Sequence, residues 1–145
     1  MKRLSLTKEE ISRLVDAAQA ARERSYSPYS QFKVGAAVLT QEGEIFSGTN
    51  VENASYGLTV CAERNALFAA VGAGHRRFKA LALITQKIPG VQFGSPCGAC
   101  RQVLSEFMPP QTPVYIAVLN GTKRTVYTKT LGELIPFAFT KFTEK

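Results

Sequence analysis

The sequence has few cysteines, no long apolar run and no apolar N-terminal segment, so it lacks the features of disulfide-rich, membrane and secreted proteins. Its three cysteines are an odd number, which fits a disulfide framework poorly. No apolar run approaches the roughly 20 residues that a membrane span needs. Residues 1–10 are charged and lack the apolar segment of a secretory signal. We therefore expect a cytoplasmic protein whose thiols are kept free by a reducing environment.

The sequence also lacks a basic arm, although its net charge is +7. Clustered Lys and Arg residues would indicate a nucleic-acid partner because they neutralise phosphates. Here the basic residues are scattered, the densest group being Arg76, Arg77 and Lys79, and no basic run is interleaved with aromatics. The pattern favours a solvated surface, and we expect neither nucleic acid nor a membrane as a partner.

Apolar spacing divides the 145 residues into short helices and strands that fit one domain over 1–145. Helices are predicted over about 8–24, 62–71 and from Gly98 to a stop at Pro109, with a helical turn over 131–134. Strands are predicted over about 32–40, 44–51, 79–85, 113–119 and 125–128. The first two strands form a hairpin, and the segment 79–119 predicts a crossover between parallel strands. We expect an α/β fold, a three-layer α-β-α sandwich with a mixed five-stranded sheet.

The segment Ser95–Cys100, which reads Ser-Pro-Cys-Gly-Ala-Cys, holds two of the three cysteines. A Cys-x-x-Cys pair that opens a helix is the thioredoxin arrangement, so a redox dithiol is one interpretation. A structural zinc knuckle needs a second such pair or a paired-histidine motif, and the sequence has neither. His75 and Cys61 end the same predicted helix roughly 20 Å apart, so His75 is expected to be a surface or helix-capping residue.

Three protein ligands remain, namely Cys61, Cys97 and Cys100. Three ligands and one open position are typical of a catalytic zinc ion, because the fourth position can hold a water that loses its proton more easily. Cys61 and Cys97 each stand at the predicted start of a helix, where the helix dipole favours the thiolate. The sequence therefore favours a working metal site over a dithiol.

Charged neighbours of the cysteines complete this expected site. Three thiolates overcompensate the zinc charge, and Arg64 and Arg101 are expected to offset the excess by donating to sulfur. Glu63 can reach the same site only if Cys61 lies at the helix end, and it then serves as the proton carrier. The alternative for Glu63 is a first-turn glutamate that complements the helix dipole.

Asn50 and Glu52 stand two apart at the end of a predicted strand, so their side chains share one face. An amide beside a carboxylate suits the hydroxyls of a sugar, because one donates hydrogen bonds and the other accepts them.

Together these motifs resemble the zinc-dependent nucleoside deaminases, specifically the small homotetrameric cytidine deaminases. The resemblance rests on Cys61-Ala62-Glu63-Arg64 followed by Pro96-Cys97-Gly98-Ala99-Cys100. Further segments that look like family signatures, in family order, are Tyr26–Ser30, Phe32–Ala37, Asn50–Ala54 and Glu133–Pro136. A histidine in place of Cys61 is typical of the polynucleotide and nucleotide deaminases, so Cys61 points to the free-nucleoside branch.

The resemblance implies hydrolysis of cytidine and 2′-deoxycytidine to the uridines with release of ammonia, a step of pyrimidine salvage. It implies one zinc ion per subunit on the three cysteines, with Glu63 as the catalytic residue. It further implies that Asn50 and Glu52 contact the ribose and that Phe32 stacks on the base. Backbone groups near Ala54 and Cys61 are expected to recognise the base. In a homotetramer, Phe139 would reach a neighbouring subunit's site beside Tyr56, although Phe137 is an alternative for that role.

Two other functions are compatible with the motifs. A deaminase of a related aminopyrimidine nucleoside, such as the blasticidin S type, shares the zinc motifs, although the Asn50 and Glu52 pair and Phe32 favour an ordinary nucleoside. A zinc-stabilised nucleic-acid-binding module would use the charge of +7, and is disfavoured by the scattered basic residues.

Overall fold

Helices and strands alternate along residues 5–142, which are the part of the chain that the computed structural model describes. The helices are α1 (Lys8–Arg22), α2 (Ala62–Gly72), α3 (Gly98–Phe107) and α4 (Leu131–Leu134). The strands are β1 (Gly35–Thr40), β2 (Ile45–Thr49), β3 (Phe78–Gln86), β4 (Pro113–Asn120) and β5 (Lys123–Thr130). Helix α1 begins at a capping box in which the side chains of Thr7 and Glu10 each accept the other's backbone N–H.

The five strands form one mixed sheet in the order β2-β1-β3-β4-β5. Strands β3 and β4 are parallel and are joined through α3, whereas every other neighbouring pair is antiparallel. The expected hairpin and the expected crossover are both present. Because parallel strands end at the same edge of a sheet, the loop from β3 into α3 opens at that edge.

Apolar side chains cover the sheet on both faces. On one face, Leu14 and Ala18 of α1 pack against Ala37 of β1. On the other face, Leu67 of α2 and Leu104 of α3 pack in a cluster that includes Val38. All six residues of β1 are buried, as expected for a strand between two helical layers. The α-β-α arrangement predicted from the sequence is confirmed.

Two glycines allow helices to approach the sheet closely. A Cβ atom at Gly35 would lie 1.9 Å from the carbonyl oxygen of Ala18 in α1. A Cβ atom at Gly48 would lie 2.4 Å from the backbone nitrogen of Ala66 in α2. Only glycine fits at such distances, so Gly48 sets how closely α2 lies on β2.

Several strand boundaries differ from the predicted ones. Strand β2, predicted over 44–51, extends over Ile45–Thr49, and larger differences occur in β1 and β5. Strand β1 begins at Gly35 rather than residue 32, because Asn50 holds the backbone at Phe32 and Val34 with its side chain. Strand β5 extends over Lys123–Thr130 rather than 125–128, because it pairs with β4 along its whole length after a turn at Gly121. Lys123 and Arg124 begin this strand, and charged residues of this kind are common on edge strands.

No helix within residues 5–142 is both long and apolar enough to cross a membrane.

Candidate active site

The three cysteines meet where α2 and α3 begin. Cys61 is the N-cap residue of α2, Cys97 is the N-cap residue of α3, and Cys100 lies in the first turn of α3. The Sγ atoms of Cys61 and Cys97 are 3.8 Å apart, and those of Cys97 and Cys100 are 3.5 Å apart. All three sulfurs lie within 4.8 Å of one another.

This sulfur triangle fits a zinc ion. Tetrahedral zinc with Zn–S bonds of about 2.3 Å requires sulfurs about 3.8 Å apart. All three cysteines are free thiols, so each can supply a thiolate to one ion. Within residues 5–142 no other group of three or more His, Cys, Asp or Glu side chains converges in this way. The arrangement favours a metal centre over a dithiol, because a third thiol shares the site.

Hydrogen bonds in the cluster favour ionised sulfur. Nη2 of Arg64 lies 3.4 Å from Sγ of Cys61, and the backbone N–H of Cys100 donates to Sγ of Cys97 at 3.4 Å. Hydrogen bonding with Cys100, followed by the contacts of Arg64 and Cys97, lowers the pKa of Cys61 to about 5. The pairing with Cys61 and burial raise the pKa of Cys100, so the first thiolate forms at Cys61. Arg64 thus makes the sulfur contact expected from its place in the sequence.

Arg101 makes different contacts from those expected. Its guanidinium donates to the carbonyl oxygen of Pro96 at 2.6 Å, to the carbonyl oxygen of Leu134 at 2.5 Å and to Oγ of Ser95 at 2.7 Å. These partners are oxygens and not the expected thiolates. Arg101 therefore fastens the loop that carries Cys97 to the end of α4.

Glu63 lies within the first turn of α2 and is only 4% exposed. Because Cys61 is the N-cap residue, with an extended backbone at φ −72° and ψ 155°, it and Glu63 line the same cavity. Burial, reinforced by the charge of the Cys61 thiolate, raises the pKa of Glu63 to about 7. A carboxyl group with such a pKa can both accept and donate a proton near neutral pH.

A cavity of about 340 Å³ opens above Glu63 and the sulfurs of Cys61 and Cys97. Its wall includes four further residues selected from the sequence, which are Phe32, Asn50, Glu52 and Tyr56. Asn50 and Glu52 are 7% and 5% exposed, and both side chains face this cavity. The expectation that they share one face is therefore met, although β2 itself ends at Thr49.

Hydrogen bonds fix both of these polar side chains. Oδ1 of Asn50 accepts from the backbone N–H of Val34 at 3.0 Å and from the hydroxyl of Ser25, while Nδ2 donates to the carbonyl of Phe32 at 2.8 Å. The carboxylate of Glu52 accepts from the backbone N–H groups of Tyr29 at 3.0 Å and Ser30 at 3.1 Å, and from the Ser30 hydroxyl. Hydrogen bonding from Ser30 lowers the pKa of Glu52.

Other residues selected from the sequence lie outside this cavity. Ala54 is exposed and does not line it, and neither do Phe137 and Phe139, which are 106% and 61% exposed. His75 is not one of the converging metal-ligand candidates. Its backbone N–H donates to the carbonyl of Ala70 at 3.0 Å, so it caps the end of α2, which was one of the two expected roles. Its imidazole is 13% exposed, and its nitrogens lie 2.9 Å and 3.5 Å from carboxylate oxygens of Glu42 and Glu44.

A family model described as the cytidine and deoxycytidylate deaminase zinc-binding region matches residues 8–116. The chain belongs to this family. The predicted resemblance is confirmed, and so is the prediction of a zinc-binding deaminase, because the family's zinc-binding region coincides with the three converging cysteines.

Several known proteins are similar to this deaminase. A cytidine deaminase of Sporosarcina psychrophila is 46% identical over 132 residues, covering 91% of this chain and 93% of that protein. A cytidine deaminase of Halalkalibacterium halodurans is 48% identical over 127 residues, covering 88% and 92%. The crystal structure of cytidine deaminase from Burkholderia pseudomallei superposes with a TM-score of 0.81 at 46% identity, covering 92% and 100%.

Part of the cavity wall of this deaminase was not selected from the sequence. Thr85 at the end of β3, with Ile88 and Gly94 of the following loop, also lines the cavity. The available signal was the position of this loop at the carboxyl end of a parallel strand, where α/β folds commonly bind ligands. Ser30, the last residue of the Tyr26–Ser30 motif, also lies in the wall.

Proposed function

We propose that this chain hydrolyses cytidine and 2′-deoxycytidine to uridine and 2′-deoxyuridine and releases ammonia. The observation that carries the proposal is the buried carboxyl group of Glu63 beside three converging sulfurs at one cavity. Relatives named cytidine deaminase, 46% and 48% identical over most of the chain, support this substrate.

Cys61, Cys97 and Cys100 would hold the zinc ion. When bound, zinc supplies a water of lowered pKa at neutral pH. Arg64 offsets part of the negative charge of the three thiolates through its contact with Cys61. Arg101 fastens the loop that carries Cys97, and this holds Cys97 and Cys100 in position relative to Cys61.

Glu63 moves the protons of the reaction. It takes a proton from the attacking water and places one on ring N3, which makes the carbon that carries the amino group electrophilic. The oxygen of water then bonds to that carbon. Glu63 takes the remaining proton of this oxygen and passes it to the amine, so that the carbon–nitrogen bond breaks and ammonia leaves. One water is consumed, and one ammonia is released for each uridine formed.

Asn50, Glu52 and Phe32 hold the nucleoside so that its amino-bearing carbon faces Glu63. Nδ2 of Asn50 gives one hydrogen to the Phe32 carbonyl and keeps a second for a sugar hydroxyl, while Glu52 accepts from that hydroxyl. The ring of Phe32 stacks on the pyrimidine, and backbone groups near Cys61, which lines the cavity, bind its polar edge. Orientation of this kind lowers a barrier by on the order of 7 kcal/mol or more.

We also propose that the working form is a cytoplasmic homotetramer. Phe137, Phe139 and Phe142 are exposed, and Tyr56 at the cavity is 59% exposed. Apolar surface of this kind is typical of protein interfaces. In such an assembly Phe139, or alternatively Phe137, covers the cavity of a neighbouring subunit beside Tyr56. The three free thiols suit the reducing cytoplasm.

A deaminase of the blasticidin S type is the second candidate, because a blasticidin-S deaminase of Bacillus cereus is 30% identical and covers 97% of the chain. One assay separates the candidates. Ammonia release is measured with cytidine, deoxycytidine, blasticidin S, cytosine, cytidine monophosphate and a short cytosine-containing oligonucleotide. We expect rapid release from the first two alone. Release from blasticidin S alone supports the second candidate, and release from the oligonucleotide alone contradicts both.

A further inference from the structure

The hydroxyl of Ser30 joins two parts of the cavity wall. It donates to Oε2 of Glu52 and accepts from the backbone N–H of Phe32, which lies 3.0 Å away. One small side chain thus contacts both the carboxylate and the backbone of the aromatic residue. Ser30, Phe32 and Glu52 all line the same cavity.

The turn around Ser30 depends on these hydrogen bonds. Gln31 has a left-handed backbone with φ of +58°, which residues other than glycine rarely adopt. Its N–H donates to the carbonyl of Ser27 at 2.9 Å, and the next N–H, that of Phe32, is the one bound by Ser30. The Ser30 hydroxyl therefore closes the turn that delivers Phe32 to the cavity.

The Ser30 hydroxyl also determines which hydrogen-bond acceptor position of the Glu52 carboxylate remains free. A carboxylate has about four acceptor positions. Within residues 5–142, Oε1 of Glu52 accepts from the N–H groups of Tyr29 and Ser30, and Oε2 accepts from the Ser30 hydroxyl. The remaining position is on Oε2, the atom that Ser30 orients. The carbonyl of Phe32 is held in turn by Asn50.

We propose that Ser30 is a positioning residue whose hydroxyl fixes the Glu52 carboxylate relative to the Phe32 backbone. The sugar contact of Glu52 and the base contact of Phe32 are thereby held at a fixed distance from each other, so that one nucleoside makes both. This inference rests on the proposed function. Ser30 itself takes no part in the proton transfers and acts through Glu52 and Phe32.

The test compares steady-state kinetics of zinc-loaded wild-type protein with Ser30→Ala, using cytidine and 2′,3′-dideoxycytidine. We expect Ser30→Ala to raise KM for cytidine about tenfold, the effect of losing a hydrogen bond to a charged group. The change in kcat should stay below about threefold, because the proton transfers are untouched. With the dideoxynucleoside, which offers Glu52 no ring hydroxyl, the increase in KM should be several-fold smaller.

Matched variants separate positioning from folding. Ser30→Thr and Ser30→Val have the same shape, but only threonine keeps the hydroxyl, so Thr should restore KM and Val should not. If Ser30→Ala does not fold, the comparison of Ser30→Thr with Ser30→Val tests the role of the hydroxyl in its place. In a Glu52→Gln background, Ser30→Ala should add little, because the two residues act as a unit. Ser12→Ala, on the exposed face of α1, should match wild type.

Three results would overturn the positioning role alone: an unchanged KM in Ser30→Ala and Ser30→Val, equal KM increases for both nucleosides, or additive effects with Glu52→Gln. A wild-type protein that deaminates no cytidine would overturn the proposed function, and this inference with it.

Discussion

Arg101 links the loop that carries Cys97 to the end of α4 through three hydrogen bonds. Replacing it with alanine removes all three and leaves the carbonyls of Pro96 and Leu134 without that donor. We expect Arg101→Ala to release zinc at least about tenfold faster, since changes in such supporting contacts commonly weaken metal sites by 10- to 100-fold. A colorimetric chelator follows the release, and Arg24→Ala, at an exposed position, is the control. Equal release rates would contradict the assigned role.

The carboxylate of Glu52 gives the stability of the fold a dependence on pH. Hydrogen bonding from Ser30, with the N–H groups of Ser30 and Tyr29, lowers its pKa below the usual value of 4.5. A lowered pKa in the folded state contributes stability above pH 4.5, and this contribution is lost as pH falls through the folded value. Urea unfolding of wild type and Glu52→Gln should therefore show a difference that is largest near neutral pH. A difference that grows on acidification would contradict this account.

At the residue scale, spacing predicted that Cys97 and Cys100 lie together and that Glu63 lies beside Cys61, because side chains at a helix start are placed by local chain geometry. The approach of Cys61 to Cys97, 36 positions away, depends on the fold. The contacts of Arg101 were not predictable in the same way. Its partner Leu134 lies 33 positions away, and only the docking of α4 brings the two together. The contact of Ser30 with Glu52 was not predictable for a similar reason, since the two residues lie 22 positions apart.

Among the elements, α2 carries Cys61 at its start and Glu63 in its first turn. The distance at which α2 packs on β2 depends on Gly48. A methyl group there would lie 2.4 Å from the backbone nitrogen of Ala66 and 2.9 Å from the carbonyl oxygen of Ala62. Both contacts are with backbone, so the helix and the strand must separate. We expect Gly48→Ala to lower the free energy of unfolding by about 1–3 kcal/mol, as overpacking usually does.

Thermal denaturation of Gly48→Ala measures this effect, with Gly72→Ala, at the last residue of α2, as the matched control. A Cβ atom at Gly72 meets nothing within 4 Å, so this variant should be no less stable than wild type. If the two variants melt at the same temperature, the close approach at Gly48 does not set the position of α2.

The elements themselves were largely predictable, because the apolar patterns of β1, β3 and β4 and the capping box of α1 are local signals. The start of β1 was not, because the backbone at Phe32 and Val34 is held by the Asn50 side chain instead of a neighbouring strand. Hydrophobic alternation continued into residues 32–34, and nothing in that local pattern shows a distant amide.

For the whole molecule, the exposed phenylalanines near the C-terminus are the feature that the single chain does not explain. Phe139 packs edge-on against Phe142 with ring centroids 5.2 Å apart, and both rings remain mainly exposed. In the proposed homotetramer these rings are buried between subunits. Light scattering should give the mass of four chains for wild type and a smaller mass for Phe139→Asp. A wild-type monomer that deaminates cytidine would contradict the shared-site arrangement.

The central claim is that a zinc ion on three cysteines and the buried Glu63 together deaminate cytidine. Conversion of cytidine to uridine by wild type and Glu63→Gln, each with its zinc content measured, tests this most directly. We expect one zinc per chain in both proteins, with the rate of Glu63→Gln lower by about 100-fold or more, the range for loss of a proton-transferring group. Equal rates in the two zinc-loaded proteins, or no uridine from zinc-loaded wild type, would contradict the account.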